Sequence, residues 1–599
     1  MLACIQSTVV LLLFLVVFTH EDDTGPIIQT LYGKVRGKRV DILDTYVDAF
    51  LAIPYADPPV GERRFTLPEP TVRQWEGVRN ATEYSSSCWQ KPDRALGDFV
   101  GTDMWNTEGP QSEDCLYLNI WTPQHPRHKT PLPVLVWIHG GSFVTGSGSL
   151  AVYNGTTLAA VEQVIVVTLN YRLNTFGFLA LENTDSPGNM GLMDQVMALQ
   201  WIHDNIQFFN GNHDQVTLFG ASAGAASVGY HILSPSSRRL FKRAILQSGS
   251  PMMPFLSPGT YTEHRHLAKC MAFSLGCLTK EELSYEFNVS VVLKCLRNLP
   301  PDKLANSYNL IHFPVQDDRF ILSQPADSLN NMELKRTQVL LGANENEGMF
   351  NLIRLIPDFS LDTDSHITYE KYLETIGFRF GELPSEVLDQ IGEEYVRQHD
   401  KEDGESLRDL ADNTWGDYDI ICPTVEFANE YHALVNEDVF LYNFQHRSSH
   451  NPWPEWAGTV HADEIAYVFG VPLHNDQLYS EDDITMSRLI MRFWANFART
   501  GDPNEEGEVN RRWPKYDDIL KRYLVLEMNS QNILNTESGL RAKHCEFWKD
   551  LSPIMKALTE KAVSTNTPCF YTSASSSVGV HFKLVLLTLL AVSLHGRRL

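Results

Sequence analysis

The sequence predicts an α/β fold with a large, mostly parallel, doubly wound sheet that carries helices on both faces. Two observations support this: short, continuous apolar runs recur along the chain, and segments with helical spacing separate them. A strand covered on both faces by helices has such a continuous apolar sequence. Strands that alternate with helices form mainly parallel sheets.

Six apolar runs are the predicted core strands: residues 134–138, 164–169, 216–219, 244–247, 339–342 and 439–444. Residues 190–206 and 487–499 have apolar positions at helical spacing and are predicted to be helices. The stretches 257–314 and 354–417 have weaker patterns, and we expect insertions there that lie over the sheet, where pockets are built.

The N-terminal segment predicts export. Residues 8–18 are almost purely apolar, and polar residues follow at once. This length suits the apolar region of a signal peptide and is too short for a membrane span. We therefore predict a signal peptide over 1–20 and one large domain over 21–560.

The C-terminal segment, 561–599, predicts a linker followed by a lipid-anchor signal. Small residues around Ser573 precede a polar spacer and the apolar run 584–594. This order is typical of a GPI-attachment signal, with Ser573 as the expected attachment residue. Basic residues flank the run, so a single-pass anchor is the alternative. Either anchor places the protein at the cell surface.

Composition agrees with an exported globular protein. The 599 residues carry a formal net charge of −25, which disfavours nucleic acid and attracts cations. An exported chain with nine cysteines is expected to form disulfides. Asn80, Asn154 and Asn288 begin glycosylation triplets. The charge also has a simpler interpretation, namely solubility.

The sharpest local motif is Gly220-Ala-Ser222-Ala-Gly224, which lies between a predicted strand and a helix. In G-x-S-x-G the glycines permit a tight strand-to-helix turn that exposes the serine hydroxyl. The following helix N-terminus places N–H groups beside developing negative charge. Ser222 is therefore the candidate nucleophile.

A serine nucleophile needs a base, and the base needs an orienting carboxylate. Glu345 and Glu347 both follow the predicted strand 339–342, and both are candidates for the acid. His461 follows the next predicted strand and is the candidate base. His139-Gly140-Gly141-Ser142, directly after a buried strand, fits a loop of oxyanion donors. We find no metal or nucleotide motif and expect no cofactor.

Long segments make the chain recognisable: 112–123 (SEDCLYLNIWTP), 198–209 (ALQWIHDNIQFF), 231–251 (HILSPSSRRLFKRAILQSGSP) and 453–473 (WPEWAGTVHADEIAYVFGVPL). The sequence resembles the cholinesterase and carboxylesterase family over nearly all of its mature length. The resemblance implies an α/β-hydrolase fold and a catalytic domain over 21–560. It also selects Glu347 as the acid beside Ser222 and His461. It further implies oxyanion donors at the backbone N–H groups of Gly141, Ser142 and Ala223, with Ser248 bracing the triad.

The resemblance also implies how the cysteines pair. The expected disulfides are Cys88–Cys115, Cys277–Cys295 and Cys422–Cys545, with Cys270 a free buried thiol. Cys569 matches a position that forms an interchain bridge, which implies a homodimer, possibly disulfide-linked.

A choline site is implied by three further positions: Trp105 as the stacking ring, Phe350 as a second aromatic wall and Asp93 at the mouth. A quaternary ammonium is attracted to the face of such rings. The sequence departs from the family pattern at several positions. Ala221 replaces a glutamate before the nucleophile, Ser142 replaces a glycine, and Arg354 replaces a tyrosine. Phe255 replaces a tryptophan, which implies room for acyl groups larger than acetyl.

These residues support three hypotheses. The first is a serine hydrolase that cleaves choline esters, acetylcholine and larger acylcholines, through an acyl-enzyme. The second is a general carboxylesterase that prefers neutral esters, as Ala221 suggests. The third is a non-catalytic adhesion protein of the neuroligin kind, which the intact set of triad residues disfavours.

Overall fold

The computed structural model describes residues 25–563 apart from 72–73, 125–129, 308–312, 333, 382, 505–511 and 529–533. The predicted signal peptide, Cys569, Ser573 and the predicted anchor signal lie outside the described residues. The described strands are β1 (Ile27–Thr30), β2 (Gly33–Arg36), β3 (Lys38–Ile42), β4 (Thr45–Pro54), β5 (Val78–Asn80), β6 (Ser87–Cys88), β7 (Gln111–Ser112), β8 (Tyr117–Pro123), β9 (Leu132–Ile138), β10 (Ile165–Leu169), β11 (Ala180–Asn183), β12 (Ser186–Pro187), β13 (Gly211–Ala221), β14 (Arg243–Gln247), β15 (Val339–Asn344), β16 (Val439–Phe444), β17 (Arg522–Leu526) and β18 (Thr536–Ser538).

The described helices are α1 (Val100–Asp103), α2 (Thr156–Glu162), α3 (Asn174–Phe178), α4 (Met190–Asn205), α5 (Ala223–Leu233), α6 (Tyr261–Ser274), α7 (Val289–Arg297), α8 (Pro301–Ala305), α9 (Pro325–Asn330), α10 (Met349–Leu355), α11 (Tyr369–Phe380), α12 (Ser385–Val396), α13 (Gly404–Gly416), α14 (Cys422–Leu434), α15 (Ile465–Val468), α16 (Val471–His474), α17 (Glu481–Thr500) and α18 (Ala542–Val563). A π-helical segment, Asp417–Ile421, joins α13 to α14.

Eleven strands form the central sheet, in the order β18-β17-β16-β15-β14-β13-β9-β10-β8-β4-β3. Every neighbouring pair from β17 to β10 is parallel. The pairs at the two edges are antiparallel. The predicted α/β fold is therefore confirmed, and all six predicted apolar runs are strands of the parallel part.

The sheet is buried on both faces because its strands alternate between two apolar clusters. In β9, Val134, Val136 and Ile138 belong to one cluster. Leu135 and Trp137 point the other way, into the cluster that also contains the apolar face of α17. Both sides of the strand are thus removed from water, which explains its unbroken apolar sequence.

The order in which strands are added to the sheet reverses at β9. The chain first adds β10 on one side of this strand and later adds β13 on the other. In open α/β sheets such a switch point leaves a crevice at the carboxyl ends of the two strands. The loop that begins at His139 follows β9, and Ser222 follows β13, so both lie at this crevice.

Both predicted insertions contain helices. Helices α6 to α8 pack into a small apolar cluster, and α10 to α13 pack into a larger one. The larger cluster also contains Trp453 and Val460, which precede the candidate base. This insertion therefore packs against the loop that carries His461.

The structure joins the three predicted cysteine pairs, Cys88–Cys115, Cys277–Cys295 and Cys422–Cys545. The prediction for Cys270 is wrong: it is disulfide-bonded rather than a free thiol, and its partner lies outside the described residues. Cys270 is buried, as the resemblance implied, and burial is compatible with a disulfide. Within the described residues, no helix is both long and apolar enough to cross a bilayer.

Candidate active site

Ser222 lies at a strained turn between β13 and α5. Its backbone has φ 58° and ψ −124°, an uncommon conformation for a residue with a side chain. The turn is possible because glycine is on either side: a Cβ at Gly220 would lie 2.6 Å from the Ile138 carbonyl oxygen, and one at Gly224 only 2.0 Å from it. The Ser222 N–H donates to the Gln247 carbonyl (2.9 Å). Ser222 is partly exposed, and the helix N-terminus lies directly behind it.

Glu347 and His461 meet as the sequence predicts. His461 Nδ1 lies 2.6 Å from Glu347 Oε2, and the Asn344 N–H donates to the other carboxylate oxygen (2.7 Å). Glu347 is almost fully buried. Glu345, the alternative acid, accepts instead from Gln445 Nε2 (3.2 Å). The bond at Nδ1 orients the imidazole and leaves Nε2 as the nitrogen available to a substrate or nucleophile.

The carboxylates around His461 favour its charged form. Burial by itself lowers the pKa of His461, but the charge and hydrogen bond of Glu347 raise it, and Glu464 and Asp463 add to this. The net result is a pKa above the ordinary histidine value. The site therefore stabilises the imidazolium that forms when a histidine accepts a proton.

A buried hydrogen-bond network connects the ends of β14 and β15 to the His461 loop, and Glu464 is at its centre. Glu464 accepts from Gln247 Nε2 (3.0 Å) and from Asn344 Nδ2 (2.8 Å). Asn344 Nδ2 also donates to the Val460 carbonyl (2.8 Å). Burial and, next, the Glu347 carboxylate raise the pKa of Glu464. Sequence reasoning did not identify this glutamate, although it lies three residues after the candidate base.

The loop after β9 lies against Ser222. A Cβ at Gly140 would lie only 2.6 Å from the Ala221 carbonyl oxygen and 3.1 Å from the Ser222 Cβ, so a side chain here would clash with the backbone beside the nucleophile. The Gly141 carbonyl accepts from the Val144 and Thr145 N–H groups (2.9 and 3.0 Å). The N–H groups of Gly141, Ser142 and Ala223 donate to no described residue. These three donors are available to an oxyanion.

Ser248 begins the loop after β14 and has a φ of 48°. Its N–H donates to the Gly342 carbonyl (2.8 Å), which ties the ends of β14 and β15 together. The buried hydroxyl makes no hydrogen bond to a described residue. The bracing role predicted for this side chain stays a prediction.

Aromatic side chains form the walls near the triad. Phe350 lies 6.2 Å from the His461 ring and packs edge-on against Trp453, with ring centroids 5.5 Å apart. Trp105 is half-buried, and its ring lies 6.4 Å from Tyr153. It packs against the apolar cluster that contains Ala221, so the residue before the nucleophile adds no charge there.

Arg354 joins two of the predicted choline-site residues. Its guanidinium carbon lies 4.9 Å from the centroid of the Phe350 ring, and its Nη2 donates to Asp93 Oδ2. Only 6% of the arginine side chain is exposed, against 24% of the aspartate side chain. Within the described residues, no group of three or more metal-ligating side chains is close enough together to hold a metal ion.

Comparison with known proteins places the chain in a family. The sequence matches the Carboxylesterase family over residues 24–548. It is 42% identical to the acetylcholinesterase of Bungarus fasciatus over 544 residues, which cover 89% of this chain and 87% of the relative. It is 41% identical to the cholinesterase of Mus musculus, with 89% and 88% covered. The chain therefore belongs to the carboxylesterase family, and it is a serine carboxylic ester hydrolase.

Proposed function

We propose that the chain hydrolyses choline esters, acetylcholine and larger acylcholines, through an acyl-enzyme on Ser222. The observation that supports this most directly is the hydrogen bond between His461 and the buried Glu347. Glu347, like Ser222, follows the carboxyl end of a central strand. A serine at a strand-to-helix turn, a histidine and an acid in this chain order are the parts that ester hydrolysis requires.

In the proposed mechanism His461 accepts the Ser222 proton as the hydroxyl attacks the ester carbonyl. Glu347 holds the imidazole in the required tautomer and stabilises its charged form. The N–H groups of Gly141, Ser142 and Ala223 bind the oxyanion. His461 then gives the proton to the leaving alcohol. Water repeats the same steps on the acyl-enzyme, which releases the acid and restores Ser222.

Trp105 is the proposed site of the ammonium group, with Phe350 and Asp93 beside it. The attraction of a cation to an indole face contributes about 1–2 kcal/mol when the pair is desolvated. The exposed part of Trp105 leaves ring surface accessible for this contact. The relatives named acetylcholinesterase and cholinesterase support the same assignment.

The test compares acetylthiocholine, butyrylthiocholine and 3,3-dimethylbutyl thioacetate, in which carbon replaces the charged nitrogen. We expect the choline esters to exceed the uncharged ester at least tenfold in kcat/KM, about 1.4 kcal/mol. Ser222→Ala is expected to hydrolyse none of them. Activity that survives in Ser222→Ala would contradict the mechanism.

A general carboxylesterase is the second candidate, and Ala221 favours it. This residue is buried and uncharged beside the nucleophile, so it attracts no cation. If the uncharged thioester equals or exceeds acetylthiocholine, this candidate replaces the first.

We also propose that the protein is exported and held at the cell surface through Ser573 by a GPI anchor, as a homodimer. Cys569 bridges the two subunits only if it is not the partner of Cys270, since Cys4, the other unassigned cysteine, belongs to the predicted signal peptide. Two observations support export: Asn80, Asn154 and Asn288 are exposed, and the three described disulfides require an oxidising compartment. Phosphatidylinositol-specific phospholipase C should release the enzyme from intact cells. Retention after this treatment would favour a single-pass anchor. Non-reducing electrophoresis of Cys569→Ser should show the loss of a covalent dimer.

A further inference from the structure

We propose that Arg354 is a specificity-determining residue, an internal cation that occupies the ammonium-binding surfaces of Phe350 and Asp93. In this position it lowers the preference of the enzyme for choline esters over uncharged esters of the same shape. This inference rests on the proposed function, because it assigns a role to one residue of the same site.

The position of Arg354 follows from the helix that carries it. Phe350 and Arg354 lie four residues apart on α10, a spacing that places two side chains on the same helix face. The guanidinium carbon is 4.9 Å from the ring centroid, within the distance at which a cation is attracted to an aromatic face. Nη1 also donates to Asn351 Oδ1 (3.3 Å). One face of the Phe350 ring is therefore already covered by a cation.

The same guanidinium compensates the charge of Asp93. Arg354 Nη2 donates to the Asp93 carboxylate, so the pair presents no net charge to an approaching ligand. A quaternary ammonium cannot donate a hydrogen bond, and it competes poorly for a carboxylate that a guanidinium already binds. Two of the three attractions that would favour a choline ester are thus directed at Arg354.

The pair is tied to the segment that carries Trp105. The Asp93 N–H donates to Asn106 Oδ1 (2.7 Å), and Asn106 Nδ2 donates back to the Asp93 carbonyl (2.9 Å). Asn106 directly follows Trp105 in the chain. The Arg354 guanidinium therefore contacts the Phe350 ring directly and the Trp105 segment through Asp93. Trp105 remains as the aromatic face that is open to an ammonium group.

The experiment measures the ratio of kcat/KM for acetylthiocholine to that for 3,3-dimethylbutyl thioacetate. In Arg354→Gln we expect this ratio to rise about tenfold, mainly through a lower KM for the choline ester. Arg354→Met repeats the test with an apolar side chain of similar length, should the glutamine variant fold poorly. Arg354→Lys keeps the positive charge and should stay within about twofold of the wild-type ratio.

Arg94→Gln is the matched control. Arg94 is the residue after Asp93, is exposed, and pairs with Asp98 and Asp103 instead. The Arg94→Gln substitution removes the same charge as Arg354→Gln, but Arg94 lies on the Asp93 segment and its ion pairs are with Asp98 and Asp103 rather than with the Asp93 carboxylate. An equal rise of the ratio in Arg94→Gln would overturn the proposal, because the effect would then be one of overall charge.

A second readout separates this inference from the proposed function. Tetramethylammonium, titrated calorimetrically, should bind about tenfold more tightly to Arg354→Gln than to the wild type. If the wild type hydrolyses neither thioester, the proposed function fails and this titration still decides the role of Arg354. If both thioesters are hydrolysed but ratio and affinity are unchanged in Arg354→Gln, the role of Arg354 is refuted and the proposed function stands.

Discussion

Buried carboxylates set the protonation of the candidate base. Glu347 contacts His461 directly, whereas Glu464 acts on it through the shared low-dielectric interior and through the network of Gln247 and Asn344. Removing the Glu464 charge should therefore alter the pKa of His461 without removing the bond to Glu347. Glu464 is thus a positioning residue rather than a group that touches substrate.

Glu464→Gln should shift the acidic limb of kcat/KM, measured with the uncharged thioester, to lower pH. Catalysis needs neutral His461, so activity falls as pH falls through its pKa. A carboxylate raises that pKa by stabilising the imidazolium, and its loss therefore lowers the pKa of His461.

Glu455→Gln is the control for this prediction, since Glu455 is exposed and lies six residues before His461. Glu455→Gln should leave the acidic limb of the pH profile of kcat/KM unchanged. A limb that moves to higher pH in Glu464→Gln would contradict the assignment.

The contact of Arg354 with Asp93 could not be predicted from the sequence. The two residues are 261 positions apart, and neither motif nor periodicity links them. Ser222 and His461 were predictable as candidates because each follows a strand with a strong apolar sequence. The strand before Glu345 and Glu347 left both open, and only the family resemblance selected Glu347. Glu464 has no such motif, and its role depends on three elements that meet only in the fold.

At the scale of elements, the N-terminus of α17 is capped by side chains. Ser480 and Asp483 form a reciprocal capping box, and Asp483 also accepts from His446, Ser449 and Tyr467. Burial alone raises the pKa of Asp483, but these hydrogen bonds outweigh it and lower the pKa. One carboxylate thus fixes the start of the helix that covers one face of the sheet.

Asp483→Asn should lower the free energy of unfolding by about 2 kcal/mol at neutral pH, because charge-assisted hydrogen bonds are lost. A lowered folded-state pKa stabilises the protein at pH above the unfolded value of about 3.9 and ceases to do so as pH falls through the folded value. The loss should therefore be constant from about pH 7 to pH 5 and shrink below about pH 4. Chemical denaturation at several pH values measures this. A loss of unfolding free energy that increases as the pH falls would contradict this prediction.

The disulfides should differ in their contribution to stability. Cys422–Cys545 closes 123 residues and joins α14 to α18, whereas Cys277–Cys295 closes 18. In the chain-entropy account the longer loop contributes more, about 4–5 against about 3 kcal/mol. The double alanine variant of the first pair should therefore unfold at lower denaturant concentration than that of the second. The reverse order would show that native-state strain or residual structure dominates.

Elements differed in how well the sequence predicted them. Strands β9, β10 and β13 to β16 are buried on both faces, and burial produces the unbroken apolar runs that identified them. The antiparallel strands β3, β8 and β18 gave no such run, and the apolar residues 49–54 of β4 were not identified as a strand. β3 alternates between partly buried and exposed residues, and β18 is exposed throughout. Their pairing depends on the neighbouring strand, which sequence patterns do not reveal.

At the scale of the whole molecule, the net charge of −25 acts on the approach of a ligand rather than on its bound state. Long-range attraction raises the association rate of cations and is screened by salt. The ion pair of Arg354 with Asp93 is local and largely buried, so salt screens it less.

Raising NaCl from about 10 to about 300 mM should lower kcat/KM for acetylthiocholine several-fold, while the uncharged thioester changes less than about twofold. Arg354→Gln should show the same salt response as the wild type. Equal salt responses of the two esters would show that overall charge does not guide the substrate.

The residues proposed to react with the ester and the residues proposed to set substrate preference lie on different parts of the fold. Ser222, Glu347 and His461 are held by strand ends and a buried network, whereas Phe350 and Arg354 lie on one helix of seven residues. Leaving-group preference is therefore open to redesign on that helix without disturbing the bond-breaking apparatus. The proposed roles of Ser222 and Arg354 have a consequence for inhibitors: reagents that acylate Ser222 through an uncharged leaving group should be insensitive to substitution of Arg354, whereas cationic inhibitors should bind more tightly to Arg354→Gln than to the wild type.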